Sequence, residues 1–236
     1  MANYLVIAAS SGIGQAVVTA LTAQGHSVFQ TSREPGKIEQ DALLDATDFD
    51  AVDAVFSAAQ EKLGPLDGVV NCSGSLLLKP AHMTSKDQYQ SVIDASLTTS
   101  FAVARAAGKH MTSGGSVVFI SSAAALEGLA NHDAIAAAKA GLVGLTLSCA
   151  ATYAGNNLRF NAVAPGLTDT TLTKSITGNE TSRKFSEGMH ALGRLGKPDD
   201  IARAIVFLLD PANSWITGQT LAVDGGLSCV RPKARA

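Results

Sequence analysis

The sequence predicts an α/β fold: a doubly wound parallel sheet in a single domain. Three observations predict it. Short apolar, β-branched runs alternate with stretches of helical periodicity along the chain. A glycine pair breaks the pattern at the first strand–helix junction. The 236 residues are 46% hydrophobic and only 16% charged, which supplies apolar surface for one large core.

The elements follow in order. Tyr4-Leu5-Val6-Ile7 reads as the first strand, and Ser10-Ser11-Gly12-Ile13-Gly14 ends it. Residues 15–24 carry Val17, Val18 and Leu21 at helical spacing, and Gly25 stops that helix. Residues 27–31 form a second strand. A helix over 48–62 ends at Gly64-Pro65, and Asp67-Gly68-Val69-Val70 leads into a buried strand. A long helix covers 89–110, a strand 116–120, a helix 133–154, a strand 158–163, a helix 198–209 and a last strand 220–223. Parallel strands of this kind are covered on both faces and joined by right-handed crossovers. Their ligands bind at the carboxyl ends of the strands, near the reversal of strand order.

Two segments fall outside the alternation. Residues 168–193 are polar and irregular and follow a strand end, which suggests a substrate lid. The domain spans 1–229, and the basic stretch 230–236 reads as a flexible tail.

Composition narrows the partners. A formal charge of −2 gives no reason to expect nucleic acid or an anionic membrane. No apolar run reaches a membrane span, and the N-terminus lacks the basic start of a signal peptide. Cys72, Cys149 and Cys229 have no metal-ligand spacing and cannot all pair, so reduced thiols in the cytoplasm and no metal are expected.

The glycine turn points to a nucleotide. Glycines let backbone N–H groups approach a pyrophosphate, whose charge the helix N-terminus favours, as in Rossmann-type folds. The end of the second strand, Gln30-Thr31-Ser32-Arg33, carries no acid before Glu34. A carboxylate there would suit the ribose hydroxyl of NAD, whereas the planar Arg33 fork and the Ser32 hydroxyl suit a 2′-phosphate. NADP(H) is the expected cofactor.

The chain resembles the short-chain dehydrogenase/reductase family from end to end. The family's Gly-x-x-x-Gly-x-Gly turn stands here as Ala8-x-x-x-Gly12-x-Gly14, so Ala9, Ser10, Ser11, Gly12, Ile13 and Gly14 are implied cofactor residues. At negative φ, Ala8 would cost little, and tolerance is expected. Asp45-Ala46-Thr47-Asp48 is similar to the family's adenine-contacting segment. Asn71-Cys72-Ser73-Gly74 stands where the family has Asn-Asn-Ala-Gly beside the cofactor. Asn161-Ala162-Val163-Ala164-Pro165-Gly166, followed by Leu167 and Thr168, matches the segment flanking the nicotinamide. Arg194-Leu195-Gly196-Lys197-Pro198 and Ile216-Thr217-Gly218-Gln219 with Asp224-Gly225-Gly226 match its C-terminal landmarks.

The resemblance also implies a catalytic set of Asn, Ser, Tyr and Lys, which this chain keeps only in part. Lys139 matches the Lys that binds the nicotinamide ribose, and Ser122 the Ser that holds the carbonyl. Ser96 stands at the Asn position and Ile135 at the Tyr position. A divergent branch that includes many enoyl-thioester reductases has Tyr-x-x-Met-x-x-x-Lys. Against it, His132-x-x-Ile135-x-x-x-Lys139 puts His132 in the tyrosine's place, on nearly the same helical face as Lys139. His132 is either the proton-transfer residue or a polar residue of the helix start. The nearby ammonium and helix N-terminus disfavour an imidazolium, unless the Asp133 carboxylate turns toward the ring.

His190 in the lid is expected at the surface, with His82 and His110 as solvated helix-flank residues; Leu76-Leu77-Leu78 lines a substrate pocket or plugs the core. Three functions stay open: a carbonyl/alcohol oxidoreductase of small molecules, a reductase of conjugated C=C bonds, and a silent NADP-binding sensor or subunit. Assembly as a homo-tetramer or homo-dimer through 89–110 and 133–154 is implied by the resemblance.

Overall fold

In the computed structural model, which describes residues 1–232, fifteen strands and helices build a three-layer sandwich. The chain runs β1 (Asn3–Ile7), α1 (Gly12–Ala23), β2 (Ser27–Ser32), β3 (Ala42–Leu43), α2 (Phe49–Leu63) and β4 (Gly68–Asn71). It continues α3 (Lys86–Ile93), α4 (Thr99–His110), β5 (Gly115–Ile120), α5 (Asp133–Tyr153) and β6 (Leu158–Pro165). It closes with α6 (Lys174–Thr177), α7 (Glu180–Met189), α8 (Pro198–Leu209) and β7 (Thr220–Val223). The seven strands lie parallel in the order β3-β2-β1-β4-β5-β6-β7. Strand order reverses between β1 and β4, and a crevice opens there at their carboxyl ends.

Alternation along each strand divides the core. Leu5, Ile7, Val69, Val117, Phe119 and Phe160 pack against α2, α4 and α5. Tyr4, Val6, Val70, Val118 and Val163 face α1 and α8 on the other side. All four β4 residues and all eight β6 residues are buried, and the polar Arg159 and Asn161 of β6 are accommodated by donating to the Ile216 carbonyl at 2.9 and 3.0 Å.

The expected single helix over 89–110 is divided. A stretch of π-helix, Asp94–Thr98, separates α3 from α4. The Thr99 hydroxyl donates to the Ala95 carbonyl at 3.2 Å and the Ser100 hydroxyl to the Ser96 carbonyl at 2.8 Å. Such back-bonding competes for carbonyls of the helical ladder. The two-residue β3 is too short for any periodic signal.

Residues 168–193 are not irregular: α6 and α7 lie within them. The Asn179 side chain caps α7 by accepting from Ser182 N at 2.9 Å. Of the tail, Arg231 is tied to Glu127 at 2.7 Å rather than free, and residues 233–236 lie outside the described residues. The Arg194 landmark is structural as well. Asp200 takes hydrogen bonds from the Arg194 guanidinium and from Lys197 N at 2.9 Å, at the start of α8, and its carboxyl is held down at about 2.

One expectation on membranes needs correction. The helical run Asp133–Asn156 is long and apolar enough to cross a membrane by length and composition alone. Here it packs against the sheet and buries Ala138, Lys139 and Leu142.

Candidate active site

The turn after β1 is built for close approach. Ser11 caps α1, its hydroxyl accepting from Gly14 N at 3.0 Å. A Cβ on Gly14 would lie 2.6 Å from the Ala8 carbonyl oxygen, so only glycine fits. Among the described residues, no partner satisfies the Gly12 and Ile13 N–H groups at the head of this twelve-residue helix. Unpaired donors on a helix N-terminus fit a dinucleotide pyrophosphate. Ala8 itself sits at φ 56°, not at the negative angle that would make it harmless. The alanine therefore carries strain that the family's glycine avoids.

From this turn a pocket of about 790 Å³ extends along the strand ends. It gathers Ser11, Gly12 and Ile13 after β1, and Cys72, Ser73 and Gly74 after β4. Ser122 after β5, His132 and Lys139 at α5, and Pro165, Gly166, Leu167 and Thr168 after β6 complete this set. Other expected residues lie elsewhere. Ala9 is buried, its N–H on Thr31 at 2.8 Å, and Ser10 accepts from Gln15 at 3.1 Å. Arg33 and Asp45 are exposed at the β2–β3 edge, beside buried Ser32 and Ala46. The Ser32 hydroxyl is spent on the Glu34 carbonyl at 2.7 Å, so its one proton is not free for a phosphate. Asn71 is saturated inside the chain: it donates to Thr99 and Ser100 and accepts from Ser73 N at 3.0 Å. It shapes the Ser73–Gly74 turn. Ser96 is fully buried off the pocket wall, its hydroxyl without a partner among the described residues.

Lys139 is the pivot. Only 6% exposed, it donates from Nζ to the Ile120 carbonyl at 2.7 Å. The Ser121 hydroxyl in turn donates to the Lys139 carbonyl at 2.9 Å, pinning this turn of α5 to the end of β5. Burial pulls the ammonium down to about 8, an effect the Cys72 thiol opposes. Burial also pushes the Cys72 thiol up to about 12, which leaves it a small neutral neighbour, not a nucleophile. A Cβ on Gly74 would stand 3.3 Å from Lys139 Nζ, so the glycine makes room for the amine.

Ser122 Oγ accepts from Ala124 N at 3.1 Å, and its own proton remains available to a substrate oxygen. His132 Nδ1 lies 2.8 Å from the Ala130 carbonyl. A carbonyl only accepts, so Nδ1 carries the proton and Nε2 is the free face. The Asp133 carboxylate does not turn to the ring; it accepts from Ala81 N at 2.7 Å. Ile135 is buried, packed with Val92, Ala134 and Ala138, and also faces the pocket.

Two histidines depart from expectation. His190 is not at the surface but 3% exposed. Its Nδ1 donates to the Ser186 carbonyl at 2.7 Å while Nε2 accepts from Leu167 N at 3.2 Å. It thus fastens α7 to the segment after β6. His110 is half-buried against Phe56, with burial lowering its basicity, whereas His82 is exposed as expected. The Leu76 and Leu78 side chains line the pocket.

The comparisons with known proteins agree with this geometry. A family profile described as enoyl-(acyl carrier protein) reductase matches residues 7–228. The chain is 32% identical over 243 residues to 3-oxoacyl-(acyl-carrier-protein) reductase FabG of Thermotoga maritima, covering 94% of this chain and 96% of that protein. The chain belongs to the short-chain dehydrogenase/reductase family. It is 35% identical to cis-4-hydroxycyclohexanecarboxylate dehydrogenase of Sinomonas cyclohexanicum, covering 96% of each. Among solved structures, the ligand-free aldohexose dehydrogenase of Thermoplasma acidophilum superposes with a TM-score of 0.91 at 30% identity, covering 100% of this chain and 97% of that one. ElxO with NADP bound gives 0.89 at 30% identity, covering 96% and 98%. Like these relatives, the chain is an oxidoreductase of the hydride-transfer kind.

Proposed function

We propose that the protein is an NADP(H)-dependent oxidoreductase of small carbonyl compounds and their alcohols, with an altered proton-transfer residue. The observation that carries this is the convergence of Ser122, His132 and Lys139 on one pocket that begins at the Gly12 turn. When bound, NADPH supplies the hydride and the protein supplies orientation and the proton. Lys139 holds the nicotinamide ribose at the end of β5. Ser122 donates its hydroxyl proton to the substrate oxygen and polarises the carbonyl. His132 exchanges a proton with the substrate oxygen at Nε2, and the Ala130 carbonyl fixes the ring through Nδ1. Arg33 takes the 2′-phosphate: its side chain is 77% exposed and its nearest carboxylate, Glu34, stands 3.9 Å away, drawn toward Lys37 at 2.8 Å. ElxO, an NADP-bound neighbour, supports that choice. Residues 168–193 act as the substrate lid, with α6 and α7 on the pocket wall. Subunits associate through α3–α4 and α5.

A second reading, reduction of a conjugated C=C bond, draws on the seven-residue spacing of His132 and Lys139, both on the pocket wall. There the oxygen-facing group need only stabilise an enolate.

NADPH fluorescence on titration, followed by absorbance decay with a ketone and enone panel, tests the set. Tight NADPH binding, weak NADH binding and ketone turnover are expected. His132→Ala should lower kcat by roughly 10²-fold or more. Undiminished turnover in that variant removes His132 from the chemistry, and NADH binding as tight as NADPH removes the Arg33 assignment. NADPH binding with no turnover across the panel would leave a silent binding protein.

A further inference from the structure

The substrate half of the pocket is almost without charge. Of its lining residues among those described, Lys139 alone is formally charged, and its ammonium is committed to the Ile120 carbonyl at the nicotinamide end. No carboxylate and no arginine line it. Leu76, Leu78, Ile135, Ile176, Phe185 and Met189 supply its apolar lining, and α6 and α7 add the uncharged Ser175, Thr181, Ser182 and Ser186. Phe185 is 72% exposed and Met189 40%, large apolar surfaces turned to an open cavity.

The surroundings are matched in the same way. Between 168 and 193 stand three cations and three carboxylates. Arg183 is bound to Asp169 at 2.7 Å and to Glu187 at 3.1 Å, and Lys184 to Glu180 at 2.8 Å. Lys174 also acts on Asp169. A phosphopantetheine arm, on coenzyme A or on an acidic carrier protein, brings phosphate that needs uncommitted cations at the mouth. Here two of the lid's three cations are engaged by its own acids, which leaves one exposed lysine, Lys174, without an ion pair among the described residues. Ile135 sharpens the point. It replaces a polar hydroxyl at the centre of the site with a branched hydrocarbon, so an anionic or strongly hydrated substrate would be stripped of water against an apolar wall.

We propose that this site takes an uncharged, largely apolar carbonyl compound as a free molecule, not an acyl group on an anionic carrier, and that Phe185 and Met189 on α7 cover its apolar body. The substrate class rests on the hydride-transfer function proposed above, but its test does not depend on turnover.

Calorimetry on the NADP⁺-loaded protein compares three probes: methyl 4-acetylbenzoate, the carboxylate 4-acetylbenzoate of nearly the same shape, and acetoacetyl-CoA. The neutral ester should bind at least ~10-fold more tightly than either anion. Phe185→Ala should weaken the ester ~5–10-fold, and Phe185→Arg should narrow or invert the preference for the ester over the carboxylate. Phe185 is largely solvent-exposed, so neither variant disturbs the core. Binding of the carboxylate or the thioester as tight as the ester, or no ester binding at all, overturns the proposal. Ester binding without NADPH consumption supports the substrate class while refuting the catalytic function, so the two fail separately.

Discussion

The ammonium of Lys139 is anchored on the carbonyl oxygen of Ile120, 2.7 Å away, with no carboxylate among the described residues to share its charge. Burial holds its pKa near 8, below the ordinary lysine value of 10.5. In the unfolded chain the amine keeps its proton up to that ordinary value. Folding at neutral pH therefore takes a cation out of water at a cost of about 3 kcal/mol, an order-of-magnitude conversion of the shift. The unfolded state binds more protons between pH 8 and 10.5, so stability rises through that window as the cost disappears. Lys139→Met should raise the denaturation midpoint at pH 7 and abolish turnover. The stability gap between variant and wild type should close as pH climbs toward 10.5. A variant less stable than wild type at pH 7, in matched urea titrations, refutes the cost assigned to this buried cation.

In the proposed assignment, Ile135 stands where a proton donor would be expected. It is 4% exposed, packed on Val92, Ala134 and Ala138, yet it reaches the pocket wall. Ile135→Tyr puts a phenol one helical turn before Lys139, near Ser122. Reduction of a small ketone should accelerate by ~10-fold or more, because a positioned acid contributes on that scale. The larger ring overpacks a filled site, so stability should fall by about 1–3 kcal/mol. Stopped-flow NADPH oxidation reads the first effect and urea titration the second. Unchanged turnover would mean that the proton step is already served without a tyrosine.

Much of this architecture is legible in the sequence because it is local. Strand runs, the Gly12–Gly14 turn and the positions of Ser122 and Lys139 depend on neighbours within one strand–helix unit. What escaped depends on distant partners. His190 lies in a polar stretch, and only the approach of Leu167 N and the Ser186 carbonyl shows that it is buried. The π-helical step at 94–98 leaves the apolar pattern of 89–110 intact and is set by side-chain hydroxyls returning to Ala95 and Ser96. Helix α7 hides because half its surface faces solvent and its apolar residues face a cavity. The Ala8 dihedral is invisible to composition, since the residue is small whichever angle it adopts.

His190 joins α7 to the strand end that carries Pro165–Thr168, and a Cβ on Gly166 would come within 2.7 Å of its Nε2. His190→Ala leaves the Leu167 N–H without an acceptor and opens a hole between α7 and the sheet. Stability should drop by about 2–4 kcal/mol. If Leu167 and Thr168, which line the pocket, flank the nicotinamide as proposed, KM for NADPH should rise several-fold more than KM for a small ketone. Steady-state kinetics with each substrate varied in turn checks the split, and equal shifts in both would assign His190 a purely structural role.

Ala8 offers the cleanest separation of strain from function. Its φ of 56° lies in the left-handed region, and its carbonyl receives Ser11 N at 3.0 Å across the turn. A Cβ there costs roughly 1–2 kcal/mol, whereas glycine adopts the angle freely. Glycine also loosens the unfolded chain, which returns part of the gain. Ala8→Gly should therefore stabilise the protein by about 0.5–1 kcal/mol. The Gly12 and Ile13 N–H groups keep their place at the head of α1, so NADPH affinity should stay within about twofold. A destabilised variant in urea titration would show that the turn relaxes away from φ 56° in solution. Unchanged stability with sharply tighter NADPH binding would instead mean that the strain is released only when the cofactor docks, so that the alanine weakens binding rather than the fold.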